Sequence, residues 1–177
     1  MIFFCHPRMN RVPDLPPCVA QPSPIHGTGV FARRRIAAGE RIIEYRGERI
    51  GWDEALRRSG DDGPLNFTFF FSLRDGRVID GGRAGNMARF INHSCEPNCE
   101  AIEHEDGRVF IHALRDIRCS EELCYDYALI YEARHTPAVK RAFACRCGEP
   151  GCSGTMLMPK RSARYRANVK PAGGRAT

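Results

Sequence analysis

Near the carboxyl end, Cys145, Cys147 and Cys152 stand in the pattern C-x-C-x4-C, and Gly148, Pro150 and Gly151 supply a turn that lets three thiolates converge. The chain has nine cysteines, an odd number, and its first residues, MIFFCHPR, hold too short an apolar run for an export signal of the usual kind. A reducing interior is therefore the expected setting, with metal ligation ahead of disulfides. Structural zinc takes four ligands in a tetrahedron, so a fourth must come from Cys5, Cys18, Cys95, Cys99, Cys119 or Cys124. Cys95 lies in FINHSCEPNC, residues 90–99, among polar neighbours. Cys124 sits inside a strand pattern and Cys99 just before one, where a cysteine is usually a small apolar filler. With Cys95 as fourth ligand, an ion worth on the order of 10 kcal/mol in favourable cases would tie the C-terminal segment over that polar loop. Burial or disulfide pairing of the thiols is the alternative.

The elements that must position these groups are short. With 177 residues, 42% of them hydrophobic and 27% charged, the chain suits one globular domain with modest appendages, and no stretch approaches a membrane-spanning helix. Half of the twelve prolines fall before residue 25, which predicts an extended arm over residues 1–22. From there GVFARRRIAAGERIIEYRGERI reads as strands joined by tight Gly turns. WDEALRRS suits a short helix, FTFFFSL (67–73) and VID suit strands, and GNMARFIN has room for about two helical turns. EAIEHE and RVFIHAL flank Asp106-Gly107, the strongest hairpin signal. A further strand is expected over ELCYDYALI (122–130) and a short helix after Tyr131. No internal repeat stands out, and long regular helices between strands are missing, so the expected class is mostly β with short helices, built of several small sheets. The tail over 159–177 holds six Arg/Lys and no acid.

Net charge is +6, and 24 of the 27 basic residues are Arg, a skew that hints at a GC-rich, bacterial genome. Basicity suits nucleic acid, anionic lipid or acidic protein about equally. GTGVFA also fits the dinucleotide fingerprint G-x-G-x-x-A, but QPSPI makes a poor preceding strand and Gly39 interrupts any long helix after it.

Taken together, HGTGVFA (26–32), EYRGE (44–48), GNMARFINHSCEPNC (85–99), EELCYDY (121–127) and CRCGEPGC (145–152) resemble, in the same order, the SET-domain protein lysine methyltransferases with a post-SET zinc segment. The resemblance covers residues 23 to about 157. It implies a SET-type β-clip fold in which FINHSC is threaded beneath the strand bearing EL-x-YDY, a pseudoknot, and a division into an arm (1–22), a SET domain (23–131), a post-SET zinc segment (132–158) and a basic tail (159–177). It further implies methyl transfer from S-adenosyl-L-methionine to a lysine amine of a histone or histone-like basic protein. Tyr127 would be the catalytic tyrosine, Tyr45 a second channel tyrosine and Tyr125 the position that tunes how many methyls are added. Gly27, Gly29, Phe31, Phe69, Arg89, Phe90, Asn92, His93 and Tyr127 would contact the cofactor, while Cys95, Cys145, Cys147 and Cys152 would hold one structural zinc.

Two departures accompany the resemblance. The arm carries only Cys5 and Cys18, so no cysteine-rich pre-SET segment stands there, and Cys119-Ser120 occupies the place of the Gly usual before EEL. The competing class is a zinc-dependent nucleic-acid-binding module using the Arg-rich tail. No membrane partner is expected. The setting would be the cytoplasm for a bacterial protein, and the nucleus or host chromatin for a eukaryotic protein or a secreted effector.

Overall fold

The computed structural model describes residues 16–59 and 69–162. Residues 1–15 of the expected arm and 163–177 of the basic tail lie outside this range, and with the latter the expectation that the tail meets nucleic acid. Ten strands and two short helices run in the order β1 (Cys18–Pro22), β2 (Thr28–Ala32), β3 (Arg41–Tyr45), β4 (Glu48–Ile50), α1 (Trp52–Ser59), β5 (Phe70–Ser72), β6 (Val78–Asp80), β7 (Asn92–His93), β8 (Cys99–Glu103), β9 (Val109–Ala113), β10 (Glu122–Tyr125) and α2 (Pro137–Ala142). One sheet has the order β1-β2-β10-β8-β9-β3, with β7 also on β10, and a smaller one has the order β4-β6-β5. Among the described residues no helix is long and apolar enough to cross a membrane.

The mostly β expectation holds, as do the helix over 52–59 and the hairpin around Asp106-Gly107, where Gly107 takes φ +75. Four details differ. The chain is already in the sheet at Cys18, within the expected arm: Cys18–Pro22 pairs antiparallel with β2, and Cys18 is fully buried. Proline is tolerated there because Pro22 ends the strand. GNMARFIN forms one 3-10 turn, Met87–Phe90, instead of two helical turns. Asn86 caps it, donates to the Glu44 carbonyl at 2.7 Å, and Ile91 is extended so that Asn92 can pair with β10. The strand over 122–130 stops at Tyr125, because the Asp126 carboxylate accepts from Ala128 N at 2.9 Å and Ala128 turns with φ +47.

The fourth difference is a nine-residue repeat that sequence reasoning missed. Ala32 to Glu40 and Ala113 to Glu121 make the same loop. Ile36 and Ile117 exchange both backbone hydrogen bonds, Gly39 N donates to Ala113 O as Ser120 N donates to Ala32 O, and Ala113 N donates to Glu40 O as Ala32 N donates to Glu121 O. Ile36 and Ile117, both fully buried, lie at the centre. The two loops also share side chains: Ala32, Arg34, Ile36 and Glu40 match Ala113, Arg115, Ile117 and Glu121, and the ion pair Arg34–Glu40 is repeated as Arg115–Glu121.

The crossing that positions the site is formed by β7, β8 and β10. Tyr125 is registered with His93 of β7 and with Cys99 of β8, both parallel to β10. A strand has two edges, so the chain between residues 93 and 99 passes from one edge of β10 to the other. Asn98, 5% exposed, pins it there: its amide donates to Glu122 O at 2.7 Å and Glu121 Oε1 at 3.1 Å, and its carbonyl accepts from Cys124 N at 2.9 Å. This is the implied threading, an exception to the general avoidance of it.

Ser120 has φ +66 where its counterpart Gly39 has φ +77. A residue with Cβ in the left-handed region costs about 1 kcal/mol relative to glycine. Ser120→Gly is therefore expected to stabilise the chain by about that amount, read as a higher midpoint in denaturant unfolding; an unchanged or lower midpoint would show the turn to be unstrained.

Candidate functional site

The chain leaves β10 through Tyr125, Asp126 and Tyr127, and these meet the segment Ile91–His93 at the crossing. The Tyr127 hydroxyl donates to the Ile91 carbonyl at 2.8 Å, and its backbone N–H donates to His93 Nδ1 at 3.1 Å. The Tyr125 and Tyr127 rings are 4.9 Å apart, and the His93 ring packs edge-on to Tyr127 at 5.4 Å. Tyr45, ending β3, is buried and donates its hydroxyl to the Phe69 carbonyl at 2.9 Å. Tyr125 is buried, 8% exposed, and no hydrogen bond engages its hydroxyl among the described residues.

Burial raises all three phenols above their ordinary range. Coulombic effects of Asp80 on Tyr45, of Tyr45 on Tyr127, and of Tyr127 and Tyr45 on Tyr125 add to it. At neutral pH these hydroxyls are neutral, so they can orient a nucleophile but offer no phenolate base. Burial lowers His93 against an opposing effect of Asp126, whose carboxylate is 3.7 Å from Nδ1.

The loop Ser23–Thr28 is docked beside this cluster. Asn92 Nδ2 is shared among Glu122 Oε1 (2.8 Å), Ser23 Oγ (3.1 Å), and the carbonyls of His26 and Thr28 (both 3.3 Å). Ser23 Oγ donates in turn to Glu122 at 2.8 Å. Gly29 is pressed onto this network, since a Cβ there would lie 2.2 Å from Glu122 Oε1, while Gly27 takes φ +49 with open space around it. Thus the Asn92 amide nitrogen is committed within the protein and its backbone is paired with β10, leaving its Oδ1 for a ligand.

Arg89 donates to the Gly81 carbonyl at 3.2 Å and lies 4.5 Å over the Phe90 ring and 5.6 Å over Phe69, while the two phenyl rings meet edge-on at 6.2 Å. Phe69, Phe90 and Arg89 therefore form one wall next to Tyr45. Phe31 stands apart, registered with Val19 and Glu122.

Sequence reasoning missed Ser23, Glu122 and Asn98, the residues that hold the loop and the crossing. Glu122 lay inside the quoted EELCYDY, but nothing in one sequence pairs a carboxylate on a strand with a serine 99 positions earlier. The carbonyls of Ile91 and Phe69, which accept from the tyrosines, have no side-chain signature at all.

Cys95, Cys145, Cys147 and Cys152 converge so that their four sulfurs lie within 4.8 Å of one another. Sulfurs around tetrahedral zinc at about 2.3 Å would be about 3.8 Å apart; Cys95 Sγ is 3.8 Å from Cys145 Sγ and 4.0 Å from Cys152 Sγ. Disulfides at about 2.05 Å do not fit these distances, and all eight described cysteines are free. Backbone N–H groups of Cys147, Ser153 and Gly154 point at Cys145, Cys95 and Cys152 sulfurs, each at 3.4 Å, as suits thiolates on a metal. The Cys147 thiol is lowered to about 7: burial opposes its thiolate, but hydrogen bonds from the Cys95 and Glu149 backbone and from Cys145 and Cys152 side chains favour it. Cys99 and Cys124 are the buried fillers expected, both pushed by burial up to about 12. The segment beyond is fastened by the bridges Leu129↔Leu157 and Ala144↔Thr155, with Phe143, Leu157 and Met158 buried.

Known proteins are similar to this chain. Residues 27–128 match the model of the SET domain. The chain is 42% identical over 137 residues to an H3 lysine-4 specific histone-lysine N-methyltransferase of Candida albicans, covering 75% of this chain and 13% of that protein. Its counterpart of the same name in Saccharomyces cerevisiae is also 42% identical over 137 residues, covering 75% of this chain and 12% of that protein. The chain thus spans about an eighth of the length of these relatives. Among solved structures, ctPRC2 in an autoinhibited conformation bound to S-adenosylmethionine is similar with a TM-score of 0.58 and 33% identity, over 64% of this chain and 15% of that one. A family match over more than half of the chain, spanning both the crossing and the tyrosine cluster, makes this chain a member of the SET-domain family.

Proposed function

We propose that the chain is a protein-lysine N-methyltransferase that uses S-adenosyl-L-methionine and acts on a lysine of a histone, with histone H3 the first substrate to test. The observation that carries the reading is Tyr127, held at its hydroxyl by Ile91 and at its backbone by His93, directly beside the loop that Asn92 and Glu122 hold in place. The relatives' names and the ligand of the similar solved structure support the cofactor and the substrate class. Those relatives are fungal and chromatin-directed by name, so chromatin is the setting we favour; they lend nothing to a bacterial or effector role.

S-adenosyl-L-methionine supplies a methyl on a positively charged sulfur, which leaves as a neutral thioether when a nitrogen lone pair takes the methyl. The protein's tasks are alignment and delivery of a neutral amine. Free lysine, with a pKa near 10.4, is deprotonated only about once in a thousand molecules at pH 7. The apolar wall of Phe69 and Phe90 and the buried rings of Tyr45, Tyr125 and Tyr127 desolvate an entering ammonium and push its proton off. Neutral hydroxyls then accept from and orient the amine. Backbone of the 23–29 loop and of His93, with the Asn92 Oδ1, would hold the cofactor's amino-acid end. Residues 23–131 would form the catalytic module, and 132–158 a zinc-binding appendage that closes it, the ion held by Cys95, Cys145, Cys147 and Cys152.

Tyr127→Phe leaves the ring packing but removes the hydroxyl; labelled-methyl transfer to histone H3 should fall on the order of 10²-fold or more, and a loss under about threefold would refute its role. Tyr125→Phe removes a hydroxyl that can hold a water against the amine. Mass spectrometry of the product should then show more trimethyl-lysine; an unaltered distribution would dismiss Tyr125 as the tuning residue. Metal analysis should find about one zinc per chain, lost in Cys95→Ser; a full equivalent retained by that variant would remove Cys95 from the ligand set.

A further inference from the structure

Both ring nitrogens of His93 are engaged inside the protein. The ring is 6% exposed as a residue and sits between the tyrosine cluster and the cysteine cluster. Nδ1 accepts the Tyr127 backbone N–H at 3.1 Å, which needs a lone pair on that nitrogen and so places the ring's proton on Nε2. Nε2 faces Cys95 Sγ at 3.5 Å. A metal-bound thiolate keeps negative charge and attracts N–H donors; Cys95 already receives the Ser153 N–H at 3.4 Å. The Asp126 carboxylate approaches Nδ1 only to 3.7 Å, too far to displace the Tyr127 bond.

We propose that His93 is a positioning residue that joins the metal centre to Tyr127, donating from Nε2 to the Cys95 sulfur and accepting the Tyr127 backbone N–H at Nδ1. The inference rests on the zinc and methyltransferase readings above. Residues Ile91 and His93, two apart, hold the hydroxyl and the backbone of Tyr127, and two residues further on Cys95 enters the metal cluster. When the ion orders Cys95, the His93 ring is fixed, and Tyr127 is fixed at both ends. With both ring nitrogens engaged inside the protein, His93 has only its backbone to give a ligand.

The two bonds can be cut separately. An Asn side chain places Oδ1 near the position of Nδ1, so His93→Asn keeps the acceptor for Tyr127 and loses the donor to Cys95. A Gln reaches towards Nε2, so His93→Gln keeps a donor for Cys95 and loses the acceptor. Three quantities are read on the full chain: the sulfur-to-metal charge-transfer band after cobalt(II) replaces zinc, the rate of zinc release to a chelator, and kcat and KM with S-adenosyl-L-methionine and histone H3. His93→Asn should shift the band and release zinc about tenfold faster. His93→Gln should leave band and release unchanged while kcat falls about tenfold or more with KM little altered. Nitrogen NMR of the unaltered, zinc-loaded protein gives a second reading that survives misfolding of either variant, and should show the His93 proton on Nε2. A proton on Nδ1, a His93→Asn variant whose band and zinc release are those of the unaltered chain, or a His93→Gln variant with unchanged kcat would overturn the link while leaving the enzyme intact. Failure of the chain to take up cobalt or zinc would overturn it together with the metal assignment.

Discussion

A strand has two edges, and at Tyr125 both are taken by one short stretch of chain, His93 on one side and Cys99 on the other. That crossing is the constraint on which the site depends. It brings residues more than 30 positions apart, Ile91 to His93 and Tyr125 to Tyr127, into hydrogen-bonding contact, and it aims Cys95 outward from the bend towards the C-terminal cysteines. A threaded segment of this kind has to be held, because nothing in simple sheet pairing prevents it from slipping back. Asn98 does this from within, with three hydrogen bonds to β10 and the residue before it, and the cysteine cluster does it from outside.

Around the crossing the chemistry is one of burial more than of charge. The three phenols are neutral, the histidine is neutral, and the carboxylate nearest the loop over 23–28, Glu122, is spent on Ser23 and Asn92. A site so built is suited to a reaction whose leaving group is already activated and whose nucleophile needs only to lose a proton and be aimed. It is poorly suited to reactions that demand a strong base or a charged nucleophile from the protein.

The short strands and the hairpin were legible in the sequence because alternation and the Asp-Gly turn act locally. So were the four cysteines, since ligand spacing and a polar loop are local signals too. The pseudoknot and the meeting of Tyr125 and Tyr127 with residues 91–93 were legible only through resemblance, for crossing and convergence are non-local. Asn98 and Glu122 went unread for the same reason: their partners are separated by up to 99 positions. The strand at Cys18–Pro22 was hidden by prolines on either side, and the loop repeat by its shortness, since four matched residues in nine stand out only once the paired backbone hydrogen bonds are seen.

Family membership rests on residues 27–128, and the cysteine segment lies beyond them. The account joins the two through the bend at Cys95, so the most direct test addresses both at once. Histone H3 and S-adenosyl-L-methionine are incubated with the unaltered chain, first loaded with zinc and then stripped of it, and lysine methylation is followed by mass spectrometry. The account predicts methyl-lysine from the loaded chain, nearly none from the stripped one, and recovery when zinc is restored. Equal methylation with and without the metal would contradict the role given to the cysteine cluster, and none under either condition would contradict the enzyme itself.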